Sequence, residues 1–124
     1  MQLDLLAINQ AFFKFWPELY HGPYFINKGY CFKWAYCAYC LYGGQLYSTQ
    51  VHAWIQIDNL HYDAECLTGM KSARDLRVNS EWIISNEELQ QLTEEEFCRE
   101  WDFNPQELIP VLAKAKEIIR RRNG

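Results

Sequence analysis

The sequence predicts an α+β fold in which a buried helix packs on a small antiparallel sheet. Residues 31–42 are apolar on every side except at Lys33, which is typical of a helix enclosed by the rest of the protein. Residues 51–57 alternate between apolar side chains and the set His52, Trp54 and Gln56, which indicates a strand with one buried face. Asp58-Asn59 allows a tight turn, so residues 51–65 are predicted to form a β-hairpin.

The segment before the central helix is predicted to contain one helix and one loop. Apolar residues recur at helical spacing from residue 2 to residue 16, and Pro17 follows them, so we expect an amphipathic helix over residues 2–16. Residues 18–29 have glycine or proline at three positions and are expected to form a loop. Gly43-Gly44 is expected to end the central helix.

Covering helices are predicted in the second half of the chain. Three residue pairs have the spacing of a capping box: Ser85 with Glu88, Thr93 with Glu96, and Asn104 with Glu107. The last helix has an apolar stripe formed by Leu108, Val111, Leu112, Ala115, Ile118 and Ile119. Pro110 is expected to delay or kink this helix. No single type of secondary structure is predicted for residues 66–84, although residues 78–84 could form an extra strand.

Length and composition indicate one domain, covering residues 1–124, and they narrow the classes of function. With 124 residues, 49% of them apolar, the chain can fill a single core. It lacks both the roughly 18 consecutive apolar residues of a membrane span and the basic start of a signal peptide, so we expect a cytoplasmic protein without membrane contact. A net charge of -4 gives no general attraction to nucleic acid. The five cysteines are an odd number, which favours reduced thiols.

Cys31 is the first candidate for chemistry because of its place at the start of the central helix. A thiol is a useful nucleophile only as the thiolate, which a helix N-terminus or a neighbouring imidazolium stabilises. Gly29-Tyr30 leads into the helix, so Cys31 is expected in the first turn, where unpaired N–H groups favour negative charge. The same N–H groups could bind an oxyanion.

The hairpin supplies a base and an orienting carboxylate on one face. A two-residue turn at Asp58-Asn59 places Trp54 opposite Asp63, so His52 and Asp63 become diagonal neighbours about 7 Å apart at the backbone. A change of one residue in the turn would separate them. His52 is therefore the candidate base, and Asp63 is the candidate group that orients it.

These residues resemble the core of the papain-like fold, and in particular its transglutaminase-like branch. The similar segments are Gly29-Tyr30-Cys31-Phe32-Lys33-Trp34-Ala35, His52-Ala53-Trp54 and Tyr62-Asp63-Ala64. The resemblance implies a nucleophilic Cys31, a basic His52 and an orienting Asp63, in a reduced core of the kind found in small bacterial and phage proteins. The chain departs from the family where Asp63 is followed by Ala64-Glu65, and where Phe25 stands at the position of a papain-type oxyanion glutamine.

Each candidate also has a simpler interpretation. Cys31 could be an ordinary core residue, while His61 and Glu65 would replace His52 and Asp63 if the predicted register were wrong. Tyr30, Trp34 and Trp54 are weaker candidates for an oxyanion site or substrate cleft, since aromatic residues near a core helix more often pack in the core.

Cys37-x-x-Cys40 could indicate zinc binding or redox chemistry, but it lies within a helix and has no second cysteine pair, so core packing is preferred. We expect no metal and no cofactor.

The sequence therefore predicts an enzyme that transfers an acyl group from an amide through a thioester on Cys31, as a peptidase, amidase, deamidase or transglutaminase-like protein. The expected substrate is a peptide or protein. The alternative is a papain-like interaction module without turnover, which would bind a partner through the aromatic segment 16–30 or the acidic segment 81–107.

Overall fold

The computed structural model describes residues 3–124 and has an α+β architecture. Within these residues the α-helices are α1 (Leu6–Phe15), α2 (Pro23–Asn27), α3 (Cys31–Tyr42), α4 (Arg77–Glu81), α5 (Glu94–Glu100) and α6 (Ile109–Asn123). The strands are β1 (Gln45–Ser48), β2 (Ala53–Ile57), β3 (Leu60–Asp63), β4 (Cys66–Met70) and β5 (Gln90–Leu92). They form one sheet in the order β4-β3-β2-β1-β5, and all neighbouring strands are antiparallel.

The central helix α3 covers the predicted range and packs on β2. Trp34, Ala35, Cys37 and Ala38 are fully or almost fully buried, which explains why the helix lacks a polar face. Gly43 ends it with φ of 72°, a left-handed conformation that glycine adopts without steric cost. The prediction for this helix is confirmed.

The β2–β3 hairpin has the predicted register. Ile55 pairs with Tyr62 and Ile57 pairs with Leu60, which makes Asp58-Asn59 a two-residue turn. Both turn residues have positive φ, 50° and 70°, as a type I′ turn requires. This turn fixes which side chains of the two strands share a face.

The prediction that β2 buries only one face is wrong. Ala53, Ile55 and Ile57 face α3, but Trp54 on the other face is also fully buried. A second apolar cluster, in which Ala73 and Leu76 contact Trp54, covers that face. Alternation in the sequence reports polarity and not burial, so it could not reveal that residues 71–89 fold back over the sheet.

The N-terminal segment also differs from its prediction. The described part of α1 begins at Leu6, and residue 2 lies outside the described residues. Residues 18–29, expected to be a loop, contain most of a 3₁₀ turn over Pro17–His21 and helix α2. Pro17 and Pro23 stand at the first position of these short elements, where the missing N–H of proline costs nothing. Proline here starts helices as well as ending α1.

Three strands of the described sheet lie outside the predicted hairpin. β1, β4 and β5 were not predicted, because strands of three to five residues carry too little periodicity to recognise. Residues 78–84 form no strand, since α4 and a turn occupy most of them.

Of the three predicted caps, only Thr93 and Glu96 form a complete capping box, at the start of α5. Asn104 accepts from the Gln106 N–H before a 3₁₀ turn, and Ser85 makes no capping bond. A 3₁₀ turn over Pro105–Leu108 follows Asn104, and α6 begins only at Ile109. Pro110 lies in the first turn of α6, so the predicted delay of this helix is confirmed.

In the part of the chain from residue 3 onward, the helices are all too short or too polar to cross a bilayer.

The two cysteines of the Cys37-x-x-Cys40 pair lie in different environments. Cys37 is fully buried in the core, whereas Cys40 is exposed, so the prediction that both pack in the core is wrong for Cys40. Among the described residues, no group of three His, Cys, Asp or Glu side chains is arranged to hold a metal ion.

Replacing Cys37 with serine should lower the free energy of unfolding by about 1–3 kcal/mol, because the hydroxyl would be buried without a partner. The same change at exposed Cys40 should stay within roughly 0.5 kcal/mol of the wild type. Urea unfolding under reducing conditions measures both. Equal losses at the two positions would contradict the burial difference.

Candidate active site

Cys31 is the first residue of α3 and is 4% exposed. The Tyr30 N–H bonds to the Ile26 carbonyl at 2.8 Å, and the Trp34 N–H bonds to the Tyr30 carbonyl at 3.0 Å. Between them, the N–H groups of residues 31–33 have no backbone acceptor among the described residues. A negative charge on the Cys31 sulfur would therefore lie beside unpaired N–H groups at the positive end of the helix dipole.

His52 is held at the start of β2 by a tight turn over residues 49–52. The Thr49 N–H bonds to the His52 carbonyl at 2.9 Å, and the Thr49 hydroxyl accepts from the His52 N–H at 3.1 Å and from the Val51 N–H at 3.2 Å. These bonds fix the backbone just before the strand. The His52 side chain is fully buried between the sheet and its neighbours.

Asp63 is the last residue of β3, and both of its carboxylate oxygens are occupied. Oδ1 accepts from the backbone N–H of Glu65 at 3.0 Å and of Cys66 at 2.9 Å, which closes the turn into β4. Oδ2 lies 2.9 Å from His52 Nε2. Burial opposes the charged carboxylate, but the bond to His52 and the other hydrogen bonds outweigh it and lower the pKa of Asp63.

His52 joins Asp63 to Cys31. Since the carboxylate can only accept, Nε2 carries the proton, and Nδ1 is left with no hydrogen-bond partner among the described residues. Burial disfavours the charged ring, but the bond to Asp63 and the neighbouring Cys31 raise the pKa of His52 from 6.5 to about 9. The ring is therefore set to take a proton at Nδ1 and keep it at neutral pH.

An aromatic stack fixes the plane of the His52 ring. The Trp54 ring lies almost parallel to it at 5.8 Å, and Tyr47 stacks on Trp54 at 5.7 Å. Trp54 Nε1 donates to His61 Nδ1 at 3.0 Å, and burial lowers the pKa of His61, which keeps that nitrogen an acceptor. The stack and this hydrogen bond restrict rotation of His52.

A cleft of about 450 Å³ reaches Cys31 from the surface. The large apolar side chains in its wall are Tyr24, Phe32, Val51, Val78, Trp82 and Trp101. Phe32 and Trp101 stack at 5.4 Å with only 11° between their planes. The cleft has the size and apolar character of ordinary small-ligand sites.

Arg77, a charged residue of the cleft wall, is paired with two carboxylates. Arg77 Nη2 lies 2.8 Å from Glu65 Oε1, and Arg77 Nη1 lies 2.6 Å from Glu81 Oε2. Arg77 also stacks over the Tyr24 ring at 4.7 Å, and Asn27 Nδ2 donates to Glu65 at 2.8 Å. The network ties α2 and α4 to the turn after β3, so it holds together the elements around Cys31.

The structure brings Cys31, His52 and Asp63 together, but it places the other candidates elsewhere. Trp34 is buried and donates to Asn9 at 2.6 Å, and Trp54 lies against His52, so neither lines the cleft. Tyr30 caps α3 and its hydroxyl donates to Glu18 at 3.2 Å, again outside the cleft lining.

The two substitute residues have other partners: His61 accepts a hydrogen bond from Trp54, and Glu65 forms an ion pair with Arg77. Four apolar residues of the cleft wall lie in segments where no site residue was predicted. Tyr24 lies in the predicted loop, Val78 and Trp82 lie in the possible strand 78–84, and Trp101 lies in a segment with no predicted element.

Comparison with known proteins assigns no family to the chain. No protein-family model, no curated protein and no solved structure matches it.

Proposed function

We propose that the protein is a Cys-His-Asp enzyme that transfers an acyl group from an amide. The observation that carries the proposal is the buried His52 ring, which bonds to Asp63 through Nε2, has no hydrogen-bond partner at Nδ1 among the described residues, and has the Cys31 side chain as a neighbour. A fully buried histidine at 2.9 Å from a buried carboxylate is an ionisable pair of the kind that clusters at functional sites.

In the proposed reaction the Cys31 sulfur attacks the carbonyl carbon while its proton rests on His52 Nδ1. The developing oxyanion is stabilised by N–H groups at the start of α3. When the tetrahedral intermediate collapses, the carbon–nitrogen bond breaks and the leaving amine takes the proton from His52. A water or an amine then attacks the thioester, His52 accepts its proton, and the Cys31 thiolate leaves.

The side-chain protonation states support this sequence of steps. Since the pKa of His52 is raised to about 9, the ring carries a positive charge at neutral pH and stabilises a thiolate beside it. Asp63 remains ionised because its pKa is lowered, and it orients the imidazole without becoming protonated.

We further propose that the α+β fold is a reduced papain-like, transglutaminase-like core. A nucleophile at the start of a helix, a base immediately before the second strand and a carboxylate ending the third support this assignment. The sheet order, with β2 and β3 adjacent and α3 packed on β2, is compatible with it. A peptide or protein is the proposed substrate.

Acylation by an activated ester tests the proposal directly. With p-nitrophenyl acetate at pH 7, one equivalent of nitrophenolate should be released in a burst, and peptide mass spectrometry should find the acetyl group on Cys31. His52→Ala should slow the burst on the order of 100-fold, since the cation that stabilises the Cys31 thiolate is lost.

Cys40→Ala, which removes an exposed thiol outside the site, is the matched control and should leave the burst unchanged. A burst that persists in Cys31→Ala would refute the assignment. Added hydroxylamine that shortens the life of the acyl-enzyme would show that an amine can act as acceptor.

An interaction module without turnover is the second candidate, and one observation favours it. Tyr20 is 78% exposed, Tyr24 40% and Phe25 39%, so the segment before α3 presents large aromatic side chains to solvent. A module would bind its partner equally well as wild type and as Cys31→Ala and would give no acyl-enzyme.

A further inference from the structure

The corner that follows α4 exposes apolar side chains that its turn does not require. Ile83 has φ of 53°, the left-handed region that a β-branched residue rarely adopts. It is 83% exposed, and the preceding Trp82 is 62% exposed. A strained backbone that presents two large apolar side chains to solvent is a reason to look for function.

Hydrogen bonds of the surrounding chain hold this corner in place. The Ile83 N–H bonds to the Ser80 carbonyl at 3.1 Å, and the Ile84 N–H bonds to the Asn79 carbonyl at 3.0 Å. Arg74 Nε donates to the Ile84 carbonyl at 3.0 Å. This is the way in which a helix ends on a left-handed residue, and glycine or asparagine would serve the turn better than isoleucine. The turn therefore does not explain the isoleucine side chain.

The corner adjoins the cleft that contains Cys31. Trp82 lines that cleft together with Phe32 and Trp101, so the cleft wall offers more apolar surface than a small polar acyl group would need. The next residue, Ile83, is exposed beyond the cleft and lines a separate depression.

One ion-pair network accounts for most of the charge along the same wall. Arg77 is paired with Glu65 and Glu81, whereas Lys28 is exposed, lies over the Tyr24 ring at 5.9 Å and has no carboxylate partner among the described residues. Within the described part of the chain, Lys28 is therefore the one cation of the wall without an ion pair, and the apolar side chains around it favour a neutral, apolar side chain of the substrate.

We propose that the corner formed by Trp82 and Ile83 binds a large apolar side chain of a peptide substrate next to the carbonyl that Cys31 attacks. This inference rests on the proposed function, because it assigns the substrate class of the same site. Trp82 supplies the wall of the subsite, and Ile83 extends it toward the next residue of the peptide.

A series of peptide chloromethyl ketones tests the preference. The Cys31 sulfur displaces chloride from the methylene carbon, so a carbon–sulfur bond forms as the carbon–chlorine bond breaks. We compare acetyl-Gly-Phe, acetyl-Gly-Gly, acetyl-Gly-Lys and acetyl-Gly-Glu reagents with 1-chloro-octan-2-one, an apolar chain without peptide groups. In wild type, the Phe reagent should label Cys31 about tenfold or more faster than the other four, since burial of one large side chain is worth at least that factor.

Variants at exposed positions separate specificity from folding. Trp82→Ala should reduce the preference for Phe over Gly to about threefold or less. Ile83→Gly should weaken the preference while the melting temperature stays equal or rises, because glycine relieves the left-handed strain. The control is Tyr20→Ala, which removes an exposed aromatic ring that lines a separate depression, and it should keep the full preference.

The labelling rate with iodoacetamide, which carries no peptide side chain, distinguishes a failure of the proposed function from a failure of the substrate inference. If iodoacetamide does not select Cys31, the proposed function fails. If it does, but the Phe, Gly and charged reagents react alike, or Trp82→Ala keeps the preference, the substrate inference is overturned and the function stands. Equal rates for the octanone and Phe reagents would overturn the peptide assignment, and a lower melting temperature in Ile83→Gly would show that Ile83 is structural.

Discussion

At pH 6, iodoacetamide is expected to alkylate Cys31 at least about ten times faster than any other cysteine of the chain. An ordinary thiol is less than roughly one per cent thiolate at this pH, whereas a thiol paired with an imidazolium is largely ionised. The comparison thiols are less reactive still, because burial, with Glu94 adding to it at Cys40 and Cys98, raises the pKa of Cys40, Cys66 and Cys98. Peptide mass spectrometry after a short reaction with the native protein reports every cysteine at once.

Two substitutions test the origin of this reactivity. His52→Ala removes the cation beside the sulfur and should abolish most of the advantage, while Asp63→Ala should reduce it less, because an imidazole remains but is poorly oriented. Exposed Cys40 is an internal control for access, since it is far more open to reagent than Cys31 at 4% exposure. Faster labelling of Cys40 than of Cys31, unaffected by His52→Ala, would refute the catalytic assignment.

Asp63→Asn should destabilise the protein by about 3–5 kcal/mol at pH 6, because it leaves the buried His52 ring without its charged partner. The wild-type pair has side-chain exposures of only 0% and 2%, so solvent cannot replace the lost interaction. Urea unfolding of the two proteins under reducing conditions, with Cys31 kept in both, measures the difference.

The stability that the His52–Asp63 pair contributes depends on pH with a definite sign. The pKa of His52 is raised, so its contribution to stability is fully present below about pH 6.5 and is lost as the pH rises through about 9. The pKa of Asp63 is lowered, so its contribution is present above its ordinary value and is lost as the pH falls. Wild-type stability should therefore decline from pH 6.5 to pH 9 by up to roughly 3 kcal/mol, and Asp63→Asn should abolish most of this decline.

Glu81→Gln provides the surface comparison. Glu81 also forms an ion pair, with Arg77 at 2.6 Å, but its side chain is 61% exposed. Its loss should change stability by no more than about 1 kcal/mol and should leave the slope between pH 6.5 and pH 9 as it is in the wild type. A wild-type stability that rises over this interval would contradict the proposed ionisation of His52.

The sequence determined the elements whose signals are local. The apolar run 31–42 identified α3 because no other element accommodates side chains on every face, and the Asp58-Asn59 turn defined the hairpin register because both residues tolerate positive φ. That register placed His52 and Asp63 on one face, where the structure shows them 2.9 Å apart. The His52–Asp63 pair could thus be predicted from the register of two strands, and Cys31 from its place at the start of a buried helix.

Only the tertiary structure decided what surrounds that triad. Trp54 and His61 lie on a face that the alternating pattern suggested would meet solvent, yet residues 71–89 cover it and make the His52–Asp63 pair a buried one. The cleft likewise combines Tyr24 of α2, Trp82 after α4 and Trp101 after α5, three residues far apart in the chain. Such contacts depend on how short elements pack over the sheet, and no periodicity within a single segment encodes that packing.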